Sequence, residues 1–303
     1  MFLPPKSRKG VFLLFFIFIS YFISQTLFLT LSYLLGGLIV GFALNGRKDI
    51  VSLILLLCIL VLMLNEQIAV TFNLFYPFIF SGSIILLLKT RENISKGNLF
   101  FISTLLVSLF FVVYMSILEI KMGLITKTIE ETITFAKETS TSIFKGIMDE
   151  KGLKEYQEFS SNLIKHYHPF LALLQFIIFG FLNLYLVLKI FNNLPQNLAE
   201  PFSKISINFS GVWFINLGML AYILSEDTMI SLAGMNVALY FLAFYFFQGI
   251  ATANQFFAKF GIPMYVAFFF YFFFLANHIM WFLISLIGIL DVQFDIKKRL
   301  KEA

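Results

Sequence analysis

Long stretches of this chain contain no Asp, Glu, Lys, Arg or His. None occurs between Lys9 and Arg47, from Thr228 to Ala258, or from Pro169 to Leu188. An ionised side chain at the centre of a lipid bilayer costs about 2.5–3.5 kcal/mol even on the lenient insertion scales. Only 13% of the residues are charged, against about 25% in soluble domains. The sequence therefore predicts an integral membrane protein.

The apolar runs are long enough to cross a membrane as helices, which takes about 20 residues. Residues 11–44 exceed one crossing, so a turn is expected at the polar triplet 24–26. Further spans are predicted at 50–64, 68–88, 98–120, 169–191, 206–225, 228–250 and 263–290. Because backbone groups in lipid must be hydrogen-bonded internally, the expected fold class is all-α, a polytopic transmembrane helical bundle of eight or nine spans.

The exact number of spans depends on where the basic loops lie. The basic clusters in 6–9, 47–48 and 89–96 are expected in the cytoplasm by the positive-inside rule. Nine crossings would then place the basic tail, 297–301, on the opposite side, against the same rule. With eight crossings, one segment would instead be re-entrant or interfacial. Both alternatives stay open.

Residues 121–168 have a different pattern, in which charges alternate with apolar residues at helical spacing, such as Ile125, Ile129 and Ile133. A break is expected at Lys151-Gly152. This pattern predicts an amphipathic helical hairpin outside the membrane, which would lie on the bilayer, cap the bundle or bind a partner. The predicted organisation is N-terminal transmembrane helices in 1–120, the extramembrane hairpin in 121–168, and C-terminal transmembrane helices with a short basic tail in 169–303.

Nothing in the sequence suggests enzymatic chemistry. It has no nucleophile motif, no P-loop and no zinc-protease motif, and its single cysteine, Cys58, excludes a disulfide framework. His166 and His168 are two residues apart and do not share a helical face, so interfacial positions are expected for them rather than a metal site. We therefore predict no catalytic residue, no metal and no cofactor. The basic residues lie at segment ends, which indicates lipid head groups rather than nucleic acid.

Polar side chains inside the spans need a partner within the bundle or a wet cavity. Asn183 is one such residue, and a lone amide more often joins two helices than binds a ligand. Gly37 and Gly41 have the small-xxx-small spacing that allows close helix approach. The candidate ligand-binding residues, as hydrogen-bonding groups or stacking rings, are Asn216, Asn236, Tyr240, Gln248, Asn277, His278 and Trp281.

Two segments carry a family resemblance. Residues 286–299, with Gly288, Asp291 and Asp295, resemble the closing signature of the YybS-like family of bacterial predicted membrane proteins. Residues 236–249, which end in an aromatic stretch followed by Gln248-Gly249, resemble the penultimate span of that family. Ile296 and Lys297 stand where the family more often has Phe and Arg. Asp291 and Asp295 are four residues apart and are therefore expected on one helical face. Both carboxylates are expected to form salt bridges with the basic residues that follow.

The resemblance implies a multi-pass protein of the bacterial cytoplasmic membrane. The family is similar in layout to the substrate-binding subunits of energy-coupling-factor vitamin transporters, which implies a helical bundle with a small-molecule pocket open to the outside. The expected function is a small-solute binding and uptake subunit. Its expected partners are the lipid bilayer, a small-molecule solute and a membrane protein partner that supplies energy.

The alternative function is a non-transporting membrane scaffold that recruits protein partners, and an intramembrane enzyme comes third. These hypotheses differ in what the intramembrane polar groups are expected to do. Convergence of the amides on a polar cavity favours a transporter, whereas amides that are paired within a dry bundle favour a scaffold.

Overall fold

The computed structural model describes residues 5–23, 31–64, 68–91, 94–144, 147–191, 205–263, 265–267, 269–270 and 278–302. Within these ranges the chain is helical or irregular and contains no strand, which confirms the all-α fold class. One candidate ligand-binding residue, Asn277, lies outside the described residues.

The N-terminal half contains six helices in the described ranges. Their bounds are Pro5–Ile23 (α1), Leu35–Leu44 (α2), Lys48–Leu64 (α3), Ile68–Thr90 (α4), Lys96–Met122 (α5) and Leu124–Phe144 (α6). The C-terminal half continues with Glu150–Ile190 (α7), Ser210–Leu224 (α8), Thr228–Lys259 (α9), His278–Phe294 (α10) and Ile296–Glu302 (α11).

Among the described residues, three stretches of helix are long and apolar enough to cross a membrane: Lys96–Ile120, Glu150–Leu186 and Thr228–Lys259. Shorter apolar helices accompany them, including α2, α8 and most of α10. Helix α8 buries only Gly211 and Gly218, and Trp213 and Leu217 are more than 60% exposed. Apolar surface of this kind is solvated by lipid rather than by water, so the helices belong to a membrane protein. The number of spans stays a prediction.

The helix α7 continues through two positions at which the sequence predicts a helix boundary. It begins at Glu150, where Asp149 accepts a hydrogen bond from the N–H of Gly152 over 2.9 Å. Asp149 is thus the N-cap that starts the helix. The break expected at Lys151-Gly152 therefore lies earlier in the chain, before Glu150. The same helix continues through Pro169, where the sequence predicts the start of a separate transmembrane span.

The chain divides into two compact units. Unit 1 comprises residues 1–107, 176–209 and 243–303, and unit 2 comprises residues 108–175 and 210–242. The helices α5, α7 and α9 contribute residues to both units.

An apolar core in unit 1 surrounds the glycine-rich helix α2. Leu35, Leu38 and Phe42 are fully buried there, together with Ile54 of α3. A Cβ atom on Gly37 would lie 2.6 Å from the carbonyl oxygen of Asn183. The close helix approach predicted from the glycine spacing is therefore present, and the neighbour at Gly37 is α7.

In unit 2, the helices α8 and α9 cross at glycines. A Cβ atom on Gly218 would lie 2.5 Å from the carbonyl oxygen of Gly234. The helix α6 and the first part of α7 form a hairpin in which Gln157 donates hydrogen bonds to the carbonyl oxygen of Lys137 and to the hydroxyl of Thr141. Phe144 and Tyr156 meet edge to face, with ring centroids 5.1 Å apart.

Candidate functional site

An asparagine from α7 caps the start of α2 in unit 1. A helix leaves its first N–H groups without intrahelical partners, and no side-chain cap precedes α2. The Oδ1 atom of Asn183 accepts a hydrogen bond from the N–H of Gly37 over 2.6 Å, and its Nδ2 atom donates to the carbonyl oxygen of Tyr33 over 2.8 Å. Gly37 and Tyr33 are four residues apart, so the amide bridges two groups that bond directly in an unbroken helix.

A second asparagine makes the same arrangement in unit 2, beside Pro169. The Oδ1 atom of Asn236 accepts from the N–H of Phe170 over 3.0 Å, and its Nδ2 atom donates to the carbonyl oxygen of His166 over 2.9 Å. The Nδ2 atom also donates to the carbonyl oxygen of Leu232, one turn earlier in its own helix, over 2.8 Å. Proline disturbs the local hydrogen-bond ladder of a helix, and a neighbouring side chain restores the missing partners.

Asn236 also contributes to the wall of a cavity of about 430 Å³ in unit 2. Tyr240, another predicted site residue, lines the same cavity, and its hydroxyl donates to Ser108 over 2.6 Å. Lys165 and His166 add a cation and an imidazole, and the other lining side chains are apolar. The structure therefore brings Asn236 and Tyr240 together, but the amide of the first is occupied by backbone groups.

In unit 1, Gln248 belongs to a buried polar cluster with Asp291 and Lys297. Its Nε2 atom donates to Asp291, and its Oε1 atom accepts from the N–H of Ile207 over 3.1 Å. The ammonium of Lys297 lies 3.0 Å from Asp291, whose side chain is 1% exposed. A carboxylate buried this deeply is stable only with a paired charge and further hydrogen bonds, and the cluster supplies both.

The same cluster holds an irregular segment, residues 205–208, against the helices. Lys297 donates to the carbonyl oxygen of Ile205, and the hydroxyl of Tyr245 donates to that of Asn208 over 2.8 Å. The hydroxyl of Ser95 donates to the carbonyl oxygen of Ser206 over 3.2 Å. Non-helical backbone within a membrane protein needs such partners. The span predicted at 206–225 is correspondingly shorter, because its helix starts only at Ser210.

The two segments that carry the family resemblance meet at this cluster. A Cβ atom on Gly249 would overlap the carbonyl oxygen of Ile284, and one on Gly288 would overlap that of Tyr245. Backbone therefore touches backbone where α9 and α10 cross, as small residues allow in membrane bundles. This crossing places Gln248 within hydrogen-bonding reach of Asp291.

A second cavity, of about 500 Å³, lies in unit 1 between α9, α10 and α11. Phe256 and Phe257 of α9 form part of its wall with Ile284 of α10. Thr252 is the one polar side chain among the described lining residues, and its hydroxyl donates to the carbonyl oxygen of Gln248 over 3.0 Å. The cavity therefore offers a ligand an almost wholly apolar surface.

The remaining predicted site residues lie apart from these features. Asn216 is exposed on α8, and His278 is the first residue of α10. Trp281 stacks on Phe246 in unit 1, with ring centroids 5.8 Å apart. Asn236 and Tyr240 belong to unit 2, whereas Gln248 and Trp281 belong to unit 1.

The sequence did not indicate that Lys165 and His166 would line a cavity, and its spacing assigned Asp291 and Asp295 to one helical face. That assignment is wrong, because α10 ends at Phe294 and Asp295 adopts a φ of 50°. The turn lets Lys297 fold back to Asp291. Within the described residues, no group of three metal-ligand side chains comes together.

Comparisons with known proteins agree with the membrane assignment. No curated protein and no solved structure matches the chain. One family model, described as a predicted membrane protein (DUF2232), matches residues 12–292, which is nearly the whole chain. The chain belongs to the DUF2232 family of predicted membrane proteins.

Proposed function

We propose that the protein is a multi-pass protein of the bacterial cytoplasmic membrane, with eight or nine spans, that binds a small solute for uptake. The observation that carries the proposal is the cavity of about 430 Å³ in unit 2. Small-molecule sites typically occupy about 300–1,000 Å³ and combine apolar walls with a few polar groups. The resemblance to YybS-like proteins, and through them to vitamin-transporter subunits, supports the same assignment.

The chemistry of the cavity wall favours a solute with an acidic group. Both N–H groups of the Asn236 amide donate to backbone carbonyl oxygens, and the hydroxyl of Tyr240 donates to Ser108. Lys165 and His166 are the basic side chains of the wall, and none of the described lining residues is a carboxylate. A carboxylate or phosphate on the solute would therefore meet a complementary charge, while its apolar body would contact residues such as Leu173.

The proposal includes a membrane protein partner but no catalytic role for this chain. Uptake against a gradient needs a source of energy, and the sequence contains no P-loop that would bind a nucleotide. A partner subunit would therefore supply the energy, and this chain would supply solute recognition.

A scaffold that recruits protein partners is the second candidate. The observation that favours it is the exposed apolar surface of the α6–α7 hairpin, where Phe135 is 69% exposed and Phe159 is 65% exposed. Exposed aromatic residues among charged ones are typical of surfaces that bind a partner or a membrane. The amides of Asn183 and Asn236, which are hydrogen-bonded to backbone groups, are also compatible with a purely structural role.

Thermal unfolding of the purified protein in detergent tests the two candidates. We expect a carboxylate, such as nicotinate or a related ring acid, to raise the unfolding temperature more than its neutral carboxamide does. In Lys165→Gln, affinity for the acid should fall about tenfold or more, as expected for loss of a charge-assisted hydrogen bond. Lys151→Gln, at an exposed position of the same helix, should leave affinity unchanged.

Two outcomes would contradict the solute-binding proposal. One is the absence of stabilisation by any member of a panel of vitamins, nucleobases and organic acids, combined with constant co-purification of one protein partner. The other is equal loss of affinity in both lysine variants. Loss of that partner on replacement of Phe135 and Phe159 by serine would instead support the scaffold.

A further inference from the structure

The apolar cavity in unit 1 is bordered by a short helix with two chemically different faces. Ile296 and Leu300 of α11 line the cavity, and they are four residues apart, on one face of the helix. Lys298 and Arg299 lie between them in sequence and are exposed. Because α11 has only seven residues, it is about 10 Å long. The two cations therefore belong to the same short helix that borders the apolar cavity.

This helix is held in place by buried contacts. Lys297 pairs with Asp291 at 3.0 Å, and the backbone N–H of Lys297 donates to the other carboxylate oxygen over 2.8 Å. The charge of Lys297 is thus already paired within the protein. In contrast, Lys298 and Arg299 form no salt bridge with any described residue, so their charge is available to a ligand.

We propose that this site binds an anionic phospholipid of the surrounding membrane. One acyl chain would occupy the cavity of about 500 Å³, whose walls suit hydrocarbon. The head-group phosphate would contact Lys298 and Arg299. A zwitterionic lipid supplies the chain without the net charge, and a free phosphate supplies the charge without the chain. The site requires both parts in one molecule.

Lipid titration of the full chain in detergent tests this proposal. The purified protein is titrated with phosphatidylglycerol and, separately, with phosphatidylcholine of identical acyl chains, and bound lipid is counted by native mass spectrometry. Glycerol 3-phosphate serves as a probe for the head group alone. We expect phosphatidylglycerol to bind more tightly than phosphatidylcholine, and glycerol 3-phosphate not to compete.

Two variants separate the contributions of charge and cavity. Each basic side chain near a lipid phosphate contributes about a factor of five, so Lys298→Gln with Arg299→Gln should weaken phosphatidylglycerol binding about 25-fold. Phosphatidylcholine binding should change little. Ala253→Phe, which fills the cavity, should weaken binding of both lipids. The matched control is Lys151→Gln with Lys154→Gln, which removes two exposed charges from α7.

Three results would overturn the proposal. They are equal binding of the two lipids by the unaltered protein, an unchanged preference in the Lys298 and Arg299 double variant, and the same loss of preference in the control double variant. The charge variants alter exposed residues, so they keep the test decisive if Ala253→Phe fails to fold.

Discussion

Asn183 accepts a hydrogen bond from the backbone N–H of Gly37 across 146 residues of sequence. The same amide donates to the carbonyl oxygen of Tyr33 and to that of Phe179 in its own helix. Asn236 repeats this pattern beside Pro169 in the other unit. In both cases one side-chain amide joins two helices by completing the backbone hydrogen bonds of one of them.

Replacing Asn183 by leucine should destabilise the protein. The change leaves the buried N–H of Gly37 and carbonyl of Tyr33 without their side-chain partner, at a cost of about 1–3 kcal/mol. Unfolding in detergent should therefore begin at a lower temperature or denaturant concentration. The control is Asn216→Leu, the same change at an exposed position, which should alter stability by no more than about 0.5 kcal/mol. Equal effects of both variants would show that the hydrogen bonds contribute little.

The role of Asn236 should depend on Pro169. In Pro169→Ala the helix regains a backbone N–H, and Phe170 can bond directly to His166. Asn236→Leu should then cost less in the Pro169→Ala background than in the native chain. A double-mutant cycle measured by unfolding in detergent should give a coupling of about 1–2 kcal/mol. Strictly additive effects would argue against this dependence.

Breaking the buried ion pair should be more harmful than removing it. Asp291→Asn leaves the Lys297 ammonium without its counter-charge, and Lys297→Met leaves a carboxylate that is 1% exposed. Each single change should cost about 3–5 kcal/mol, whereas the double variant should recover much of that loss. Lys297→Arg, which keeps the charge, should be tolerated. A double variant less stable than either single one would contradict this account of the cluster.

A methyl group at the crossing of α9 and α10 should force the helices apart. In Gly249→Ala the new Cβ atom would overlap backbone of Ile284, so we expect a loss of stability comparable to overpacking a core, about 1–3 kcal/mol. Gly82→Ala is the control, because a Cβ atom there meets nothing within 4 Å. It should be neutral or slightly stabilising, since alanine favours helix more than glycine does. Thermal unfolding of both variants would compare them directly.

The apolar pattern predicted the helices well where their bounds depend on the local sequence. The span predicted at 98–120 corresponds to Lys96–Met122, and the one at 228–250 begins at Thr228 as expected. The pattern failed at Pro169, where the start of a separate span was predicted and one helix instead continues through the proline. The reason is the amide of Asn236, which lies 67 residues away in sequence, so no local pattern can reveal it.

The candidate site was predicted in parts. Residue type alone identified Asn236, Tyr240 and Gln248 as groups that need partners, because uncompensated polar groups are costly in lipid. It did not reveal which partners they find. The contact of Gln248 with Asp291 depends on the glycine crossing beside it. The charge in the unit 2 cavity comes from Lys165, which no sequence pattern singled out. Such arrangements follow from packing rather than from composition.

The left-handed backbone of Asp295 has a consequence for how the protein is oriented in the bilayer. The turn at this residue separates α10 from α11, and Lys297 just after it pairs with the buried carboxylate of Asp291. The positive-inside rule counts the lysines and arginines that flank a span, and the charge of Lys297 is already neutralised by Asp291. The positive charge that favours a cytoplasmic tail therefore comes from the basic residues after Lys297. A topology assignment that counts every lysine in the tail overstates this charge.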